Sequence, residues 1–263
     1  MKILVTNDDG IDAPGIQVLA RELQKIGRVI VVAPEQEQSG VGTSISLRRA
    51  IKVKKLEHWK ERIEAYSVGG TPSDSVIIAT QSLFPGEIGL VVSGINRGAN
   101  MGYDVCVSGT VGAALQGYLH GITSMAISID GYENLNFDVA AKLASSLAAN
   151  IKSGRLAQKT LLNINLPDLP LSEIAAIEIT RLSKQSYCDR VEKEVSDAEE
   201  HYRIRRNNRN DLHYRNLDDD WCALRQNRIS ITPLPDSSVG NAARHCLKDL
   251  APAMYSELHN CMS

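Results

Sequence analysis

Two adjacent carboxylates near the N-terminus are the first residues whose type and spacing indicate chemistry. Asp8 and Asp9 directly follow a short run rich in β-branched residues, Lys2 to Thr6, and Gly10 comes next. Glycine permits a turn, so both side chains can face one site instead of diverging as they would in a continuous strand. Carboxylates held close together repel each other unless a proton or a cation lies between them, and Mg²⁺ and Mn²⁺ take oxygen ligands. The pair is therefore a candidate metal site, with a turn-stabilising cap as the alternative.

Three further polar segments follow apolar runs and could converge with the acidic pair. Ser39 lies in a glycine-containing loop after the second apolar run. Asn96 lies in the segment 93–102, which we expect to be a loop whose glycines permit close approach and whose Asn side chains offer neutral oxygen ligands. The segment 108–110 opens a helical pattern with free backbone N–H groups and two hydroxyls, where the helix dipole favours an anion. Plain N-capping is the alternative for this last segment.

The pattern of apolar runs predicts the elements that must position these residues. Short apolar runs, typical of buried strands, alternate with segments of helical periodicity. The runs are Lys2–Thr6, Val29–Val32, Tyr66–Val68, Ile88–Val92, Ser124–Ile129 and Ile229–Leu234, and the helices are expected after Pro14, after Pro72, from Ser108 to Leu119 and from Phe137 to Ile151. Such alternation predicts an α/β fold with a doubly wound, mostly parallel sheet. Its ligand should lie beyond the carboxyl ends of the strands.

The composition changes in the last third of the chain. Residues 181–220 hold 9 Lys/Arg and 10 Asp/Glu. So many charges predict a solvated hairpin or loop insertion, with an oligomer contact arm as the alternative. We expect one domain over residues 1–263, with a hairpin and oligomerisation extension at 181–235.

Composition and motifs exclude several function classes. The formal net charge of the 263 residues is −2, so a basic nucleic-acid-binding surface is not expected, and neither a leader nor a membrane-spanning apolar run is recognisable. The five cysteines are scattered without zinc spacing, which predicts reduced thiols and a cytoplasmic location. The motifs GxxxxGK[ST], GxSxG and HExxH are absent, and Gly10 breaks the DxDx[TV] pattern of covalent aspartyl phosphatases. Metal-assisted hydrolysis of a phosphate ester is the reaction class that we expect from the remaining polar segments.

Six segments of the chain together match a known family. They are Ile3–Gly10, Ala33–Gly40, Gly70–Asp74, Ser93–Asn96, Ser108–Val111 and Ser230–Leu234. The chain resembles SurE, the stationary-phase survival protein family of metal-dependent 5′(3′)-nucleotidases. The resemblance implies a Rossmann-like fold and a homodimer or homotetramer built with the hairpin and the C-terminal region. It also implies hydrolysis of nucleoside monophosphates, with 3′-nucleotides and short polyphosphate as further substrates.

The resemblance also implies roles for individual residues. One divalent ion per subunit, Mg²⁺ or Mn²⁺, would be bound by Asp8, Asp9, Ser39 and Asn96. The catalytic residues would be Asp8, Asp9 and Asn96, and the phosphate would be bound by Ser39, Asn96, Asn100, Ser108, Gly109 and Thr110. Arg97 could add positive charge, and Val107 stands where the family pattern has Tyr. The competing hypothesis is a non-catalytic nucleotide or phosphate sensor on the same fold, because a fold does not determine a function.

Overall fold

A nine-stranded sheet forms the centre of the computed structural model. The structure describes residues 1–60, 63–156, 159–186, 188–196, 199–207, 218–234 and 238–260. The strands are β1 (Lys2–Thr6), β2 (Arg28–Pro34), β3 (Val53–Leu56), β4 (Glu64–Val68), β5 (Ile88–Arg97), β6 (Ser124–Asp130), β7 (Leu161–Pro167), β8 (Ala176–Ile179), β9 (Cys188–Ser196), β10 (Glu199–Asn207) and β11 (Arg228–Leu234). The helices are α1 (Pro14–Leu23), α2 (Pro72–Ile78), α3 (Gly109–Leu119), α4 (Asp138–Lys152), α5 (Asp220–Arg225) and α6 (Ser238–Asn260). These bounds confirm the α/β class expected from the sequence.

The order of the strands explains where a site can form. The sheet runs β3-β4-β2-β1-β5-β6-β7-β11-β8, and only the β3–β4 and β7–β11 pairs are antiparallel. The chain first adds strands on the β2 side of β1 and then on the β5 side, so the direction of winding reverses between β1 and β5. In a doubly wound sheet, this reversal opens a crevice at the carboxyl ends of the two strands.

The central strands are apolar throughout because helices cover both faces of the sheet. Ile3 and Val5 of β1 point into the larger core with α1, α4 and α6, whereas Leu4 points into the smaller core with α2 and α3. Side chains alternate between the faces of a strand, so a continuous apolar run is what a two-sided core requires. This is why periodicity alone located β1 correctly.

Strand β5 is longer than the sequence predicts. We expected it to end at Val92 and Asn96 to lie in a loop, but the strand continues to Arg97. Its register against β6 shifts between Ser93 and Asn96. Gly94 permits the irregularity, since its φ is +140° and a Cβ there would lie 2.5 Å from the carbonyl oxygen of Ile127. The loop assignment of Asn96 was therefore wrong, because a bulged strand carries it.

The charged insertion contains the predicted hairpin. Strands β9 and β10 pair antiparallel as a separate two-stranded sheet, while β11 returns to the main sheet beside β7. Residues 197–198 and 208–217, which are also part of the predicted extension, lie outside the described residues. The sequence did not predict the short strands β3 and β8 or the strand β7.

Helix α6 is the longest element within the described ranges, at 23 residues. Neither α6 nor any other helix in that part of the chain combines the length and the apolar character that crossing a membrane requires. In the same ranges, Cys106, Cys222 and Cys246 are unpaired thiols. The expectation that they are reduced in the cell stays a prediction.

A buried carboxylate connects the segment after β5 to the start of α5. Asp220 is fully buried, and its two oxygens accept hydrogen bonds from the backbone N–H groups of Gly102 (2.8 Å), Ser183 (2.9 Å) and Trp221 (3.0 Å). An unpaired buried N–H group is costly, so one side chain here satisfies three donors from three places in the chain. Asp220 thereby fixes the end of the polar segment that begins at Asn96.

We expect Asp220→Ala to lower the free energy of unfolding by about 3 kcal/mol or more, because it leaves buried N–H groups without an acceptor. Urea denaturation at pH 7.5 measures the effect. Asp218→Ala is the matched control, since its exposed carboxylate lies 3.7 Å from Arg181 and such surface pairs contribute less than about 1 kcal/mol. Equal losses in the two variants would contradict the assigned role of Asp220.

Candidate functional site

The carboxyl ends of β1 and β5 open into a cavity of about 580 Å³. This is the crevice that the reversal of strand order predicts. The lining combines charged, amide and hydroxyl side chains with the apolar side chains of Val107 and Ile204 and the ring of Tyr132. The lining residues are Asp8, Ser39, Gly40, Asn96, Arg97, Gly98, Ala99, Asn100, Asp104, Val107, Ser108, Tyr132 and Ile204.

Asp8 is held in place from the start of α3. Its side chain is buried, and the hydroxyl of Thr110 donates a short hydrogen bond to its Oδ1. The backbone carbonyl of Asp8 accepts a hydrogen bond from the N–H of Gln38, at 2.7 Å. Gly109 allows this approach, because a Cβ there would lie 2.8 Å from the Asp8 Cβ and 2.9 Å from its Oδ2. A glycine and a hydroxyl at the helix start thus fix the carboxylate.

Burial and like charge oppose ionisation of the acidic pair. Burial raises the pKa of Asp8 to about 6, and the charge of Asp9 adds to the rise, whereas the Thr110 hydrogen bond opposes it. Burial also raises the pKa of Asp9, and the nearby guanidinium of Arg97 counteracts this. Arg97 Nη2 lies 3.7 Å from Asp9 Oδ1. The site therefore holds more negative charge than its own groups balance, which favours a bound cation.

The amide of Asn96 presents an oxygen toward the same cavity. Its Nδ2 donates to the carbonyl of Gly98 at 2.8 Å, so Oδ1 is the atom left to act as an acceptor or ligand. The register of β5 against β6 shifts between Ser93 and Asn96, and the strand then pairs again through Asn96 opposite Ser128 and Arg97 opposite Ile129. A strand irregularity thus directs this side chain, as bulges near sites do elsewhere.

Two buried asparagines on β7 anchor the backbone of Asn100. The Oδ1 of Asn165 accepts from the N–H of Asn100 at 2.8 Å, and the amides of Asn163 and Asn165 donate to its carbonyl at 2.7 and 3.0 Å. The sequence analysis did not select these two residues. Asn is disfavoured in strands, so its recurrence at two alternate positions of β7 was the signal that could have found them.

Ser39 lies at the exposed edge of the cavity. Its hydroxyl donates to Glu37 Oε1 at 2.8 Å, and it lines the same space as Asp8 and Asn96. A hydroxyl so exposed can change partner without opening the core. The structure is compatible with Ser39 as a ligand, although its hydrogen bond here is to Glu37.

The structure brings most of the candidate residues together. Asp8, Ser39, Asn96, Asn100 and Ser108 line one cavity. The other three candidates lie behind the lining: Asp9 beside Arg97, and Gly109 and Thr110 against Asp8. The hydroxyl of Thr110 is therefore engaged with a carboxylate. The sequence analysis missed Asp104, Tyr132 and Ile204, which come from segments with no recognisable motif.

The donor set fits a hard divalent cation. No three His, Cys, Asp or Glu side chains cluster as a metal site within the described residues, so a soft-ligand zinc site is not formed there. The site offers instead two carboxylates, an amide oxygen and a hydroxyl, which are ligands suited to Mg²⁺ or Mn²⁺. The raised pKa values of both aspartates agree with a site that a cation completes.

The fold and this cavity define an α/β protein with an acidic, oxygen-rich site at the switch point of a doubly wound sheet. The family model described as "Survival protein SurE" matches residues 3–189. The chain belongs to the SurE family, as the sequence motifs indicated.

Individual relatives agree with the family assignment. A curated protein from Moorella thermoacetica, named 5′-nucleotidase SurE, is 45% identical over 235 residues, covering 89% of this chain and 90% of the relative. A protein of the same name from Dehalococcoides mccartyi (strain CBDB1) is 46% identical over 208 residues, 78% of each chain. The crystal structure of the SurE protein from Aquifex aeolicus has a TM-score of 0.75 and 33% identity, covering 90% of this chain and 95% of that one. These relatives support an enzymatic function.

The pKa of Asp8 predicts how the metal-free protein responds to pH. A carboxyl whose folded-state pKa lies above its unfolded value destabilises the fold when ionised, so the cost is complete above about pH 6 and disappears as pH falls toward 4. We expect Asp8→Asn, whose amide oxygen can still accept from Thr110, to be more stable than the wild type by up to about 3 kcal/mol at pH 8. The difference should vanish near pH 4.

Chemical denaturation in EDTA at several pH values measures this effect. Asp12→Asn, at an exposed position of the same loop, controls for adding a surface amide. A stability difference that is independent of pH, or a variant that is less stable at pH 8, would contradict the assignment.

Proposed function

We propose that this protein is a divalent-metal-dependent 5′-nucleotidase that hydrolyses nucleoside monophosphates to nucleoside and phosphate. The single observation that carries the proposal is the adjacent pair Asp8 and Asp9 at the carboxyl end of β1: Asp8 lines a crevice together with Asn96 and Ser39, and Asp9 lies behind that lining beside Arg97. The curated relatives named 5′-nucleotidase SurE support the reaction class. Hydrolysis of 3′-nucleotides and of short polyphosphate is a finer part of the proposal.

The metal-binding end of the proposed site consists of residues whose side chains offer oxygen atoms as ligands. Asp8, Asp9, Asn96 and Ser39 would hold one Mg²⁺ or Mn²⁺. When bound, such an ion supplies charge neutralisation and a water of lowered pKa. Thr110 and Gly109 keep the Asp8 carboxylate facing the cavity. Because Asp9 interacts with Arg97 and is nearly covered, the pair is oriented before any ion arrives.

The phosphate end of the proposed site is formed by α3 and the segment after β5. Ser108 caps α3, since its hydroxyl accepts from the N–H of Val111 at 3.1 Å, and it lines the cavity. The helix dipole and the free N–H groups at this end favour an anion. The guanidinium of Arg97 adds positive charge, and Asn100 contributes polar atoms whose backbone β7 holds fixed. These groups orient a phosphoryl group toward the acidic pair.

Phosphate release from a panel of nucleotides tests the proposal. The panel contains 5′- and 3′-nucleoside monophosphates and a short polyphosphate, each with Mg²⁺, Mn²⁺ or EDTA. We expect release that EDTA abolishes and that Asp9→Ala and Asp9→Asn lower by at least about 100-fold, because both variants remove a charged ligand. Asp12→Ala, an exposed carboxylate in the same loop, should retain wild-type activity.

Thermal melting must show that all variants are folded. Activity that is unchanged by EDTA would contradict the role of the metal. If the folded wild type releases no phosphate with either ion, the enzyme proposal fails. The competing hypothesis of a non-catalytic sensor on the same fold is then tested by nucleotide-binding measurements.

We further propose that the protein is a homo-oligomer that uses the hairpin. Val191 and Ile204 are a directly opposed pair on β9 and β10, and Tyr202 lies on the same face. All three are large and more than 60% exposed, and the ion pair of Lys193 and Glu200 lies beside Tyr202 on the same face. Glu192 and Arg205 form an ion pair on the other face. Exposed large apolar side chains grouped on one face of a solvated arm are typical of a contact surface.

Light scattering of the full-length protein tests this proposal. We expect a dimer or tetramer, and we expect Val191→Asp to shift the mass toward the monomer because it places a charge among these apolar side chains. Arg190→Asp, on the other face, is the control. A wild-type monomer at micromolar concentration would contradict the proposal.

A further inference from the structure

An exposed aromatic ring lies directly outside the acidic site. Tyr132 follows β6, lines the same cavity as Asp8 and Asn96, and is 67% exposed. Its ring nevertheless has a fixed neighbour, because a Cβ on Gly98 would lie 3.0 Å from its Cε1 and its hydroxyl oxygen. Gly98 also accepts the hydrogen bond that orients Asn96. The ring therefore lies against Gly98, the residue whose carbonyl orients the candidate metal ligand Asn96.

The cavity is larger than a phosphate group requires. Its volume of about 580 Å³ falls within the range of roughly 300–1,000 Å³ that is usual for sites of whole small molecules. Its acidic and polar groups come from the end of β5, from the segments that follow β1, β2 and β5, and from the start of α3, whereas Tyr132 adds an aromatic surface from the loop after β6. Val107 and Ile204 are the other large apolar side chains in the lining. One cavity thus combines a polar region with apolar and aromatic surface.

We propose that Tyr132 is a specificity-determining residue that stacks on the base of the nucleoside monophosphate while the phosphate lies against the acidic pair. The proposal rests on the proposed nucleotidase function. It names a residue that binds the base, the part of the substrate that takes no part in the hydrolysis. A phenol ring presents its face to any base, and stacking on an aromatic side chain contributes similarly for all four. The proposed site therefore accepts every base and favours phosphomonoesters that carry a base over those that do not.

A purely structural role makes a different prediction for the same residue. If Tyr132 only covers Gly98, its loss disturbs Asn96 and weakens the reaction with every phosphomonoester equally. If it stacks on the base, its loss affects substrates that carry a base and leaves ribose 5-phosphate unchanged. The comparison between these two substrates separates the roles.

The experiment measures kcat and KM for AMP and ribose 5-phosphate in the wild type, Tyr132→Ala, Tyr132→Phe and the control Tyr103→Ala. Tyr103 is also an exposed tyrosine but is not part of the lining. We expect Tyr132→Ala to raise KM for AMP about tenfold, with kcat and the ribose 5-phosphate parameters within twofold. Tyr132→Phe and Tyr103→Ala should stay within twofold for both substrates. An unchanged KM for AMP, or equal effects on the two substrates, overturns the proposal.

Adenosine binding separates this proposal from the nucleotidase proposal, because it requires no hydrolysis. Isothermal titration of the metal-loaded proteins should show a Kd for adenosine about tenfold higher in Tyr132→Ala than in the wild type and Tyr132→Phe. If no phosphomonoester is hydrolysed, the proposed function fails while this measurement still decides the role of Tyr132. Equal adenosine affinity in wild type and Tyr132→Ala overturns the stacking proposal whatever the activity.

Discussion

The electrostatic conflict between Asp8 and Asp9 is the constraint on which the rest of the site depends. Both follow a central strand, where low solvent access penalises negative charge, and the pKa of each carboxyl is raised by that burial. Three features hold Asp8 against this cost: the Thr110 hydroxyl, the absence of a side chain at Gly109 and the backbone bond from Gln38. A fold that maintains such a conflict sacrifices stability for a function, and the cation of the proposed function would relieve it.

The topology of the sheet gathers the remaining groups around this pair. The winding direction reverses between β1 and β5, so the turn that carries the aspartates and the bulged end of β5 open into one crevice. Buried polar side chains then fix the segment after β5: Asn163 and Asn165 hold Asn100, and Asp220 holds Gly102. A segment rich in glycine would otherwise be mobile. Its rigidity here comes from distant parts of the chain.

The chemistry of the site and the family membership of the chain independently indicate the same function. The oxygen donors suit a hard cation, the start of α3 suits a phosphate, and the chain belongs to a family whose curated relatives are named 5′-nucleotidases. The role proposed for Tyr132 extends this picture to the base. In that view, the polar side of the crevice recognises the reacting group and its aromatic wall recognises the rest of the substrate.

The sequence by itself determined the fold class and most of the site, because both depend on local patterns. Continuous apolar runs can be buried on both faces only in a parallel sheet that helices cover on both sides. The NDDG turn and the SGT helix start can be recognised from their residue types. Only the tertiary structure decided that Asn96 sits in a bulged strand, that Thr110 contacts Asp8, and that Asn163, Asn165 and Asp220 anchor the site. It also decided that Tyr132 shares the cavity. Such contacts join residues 63 to 118 positions apart, and no local pattern encodes which distant group a buried side chain will meet.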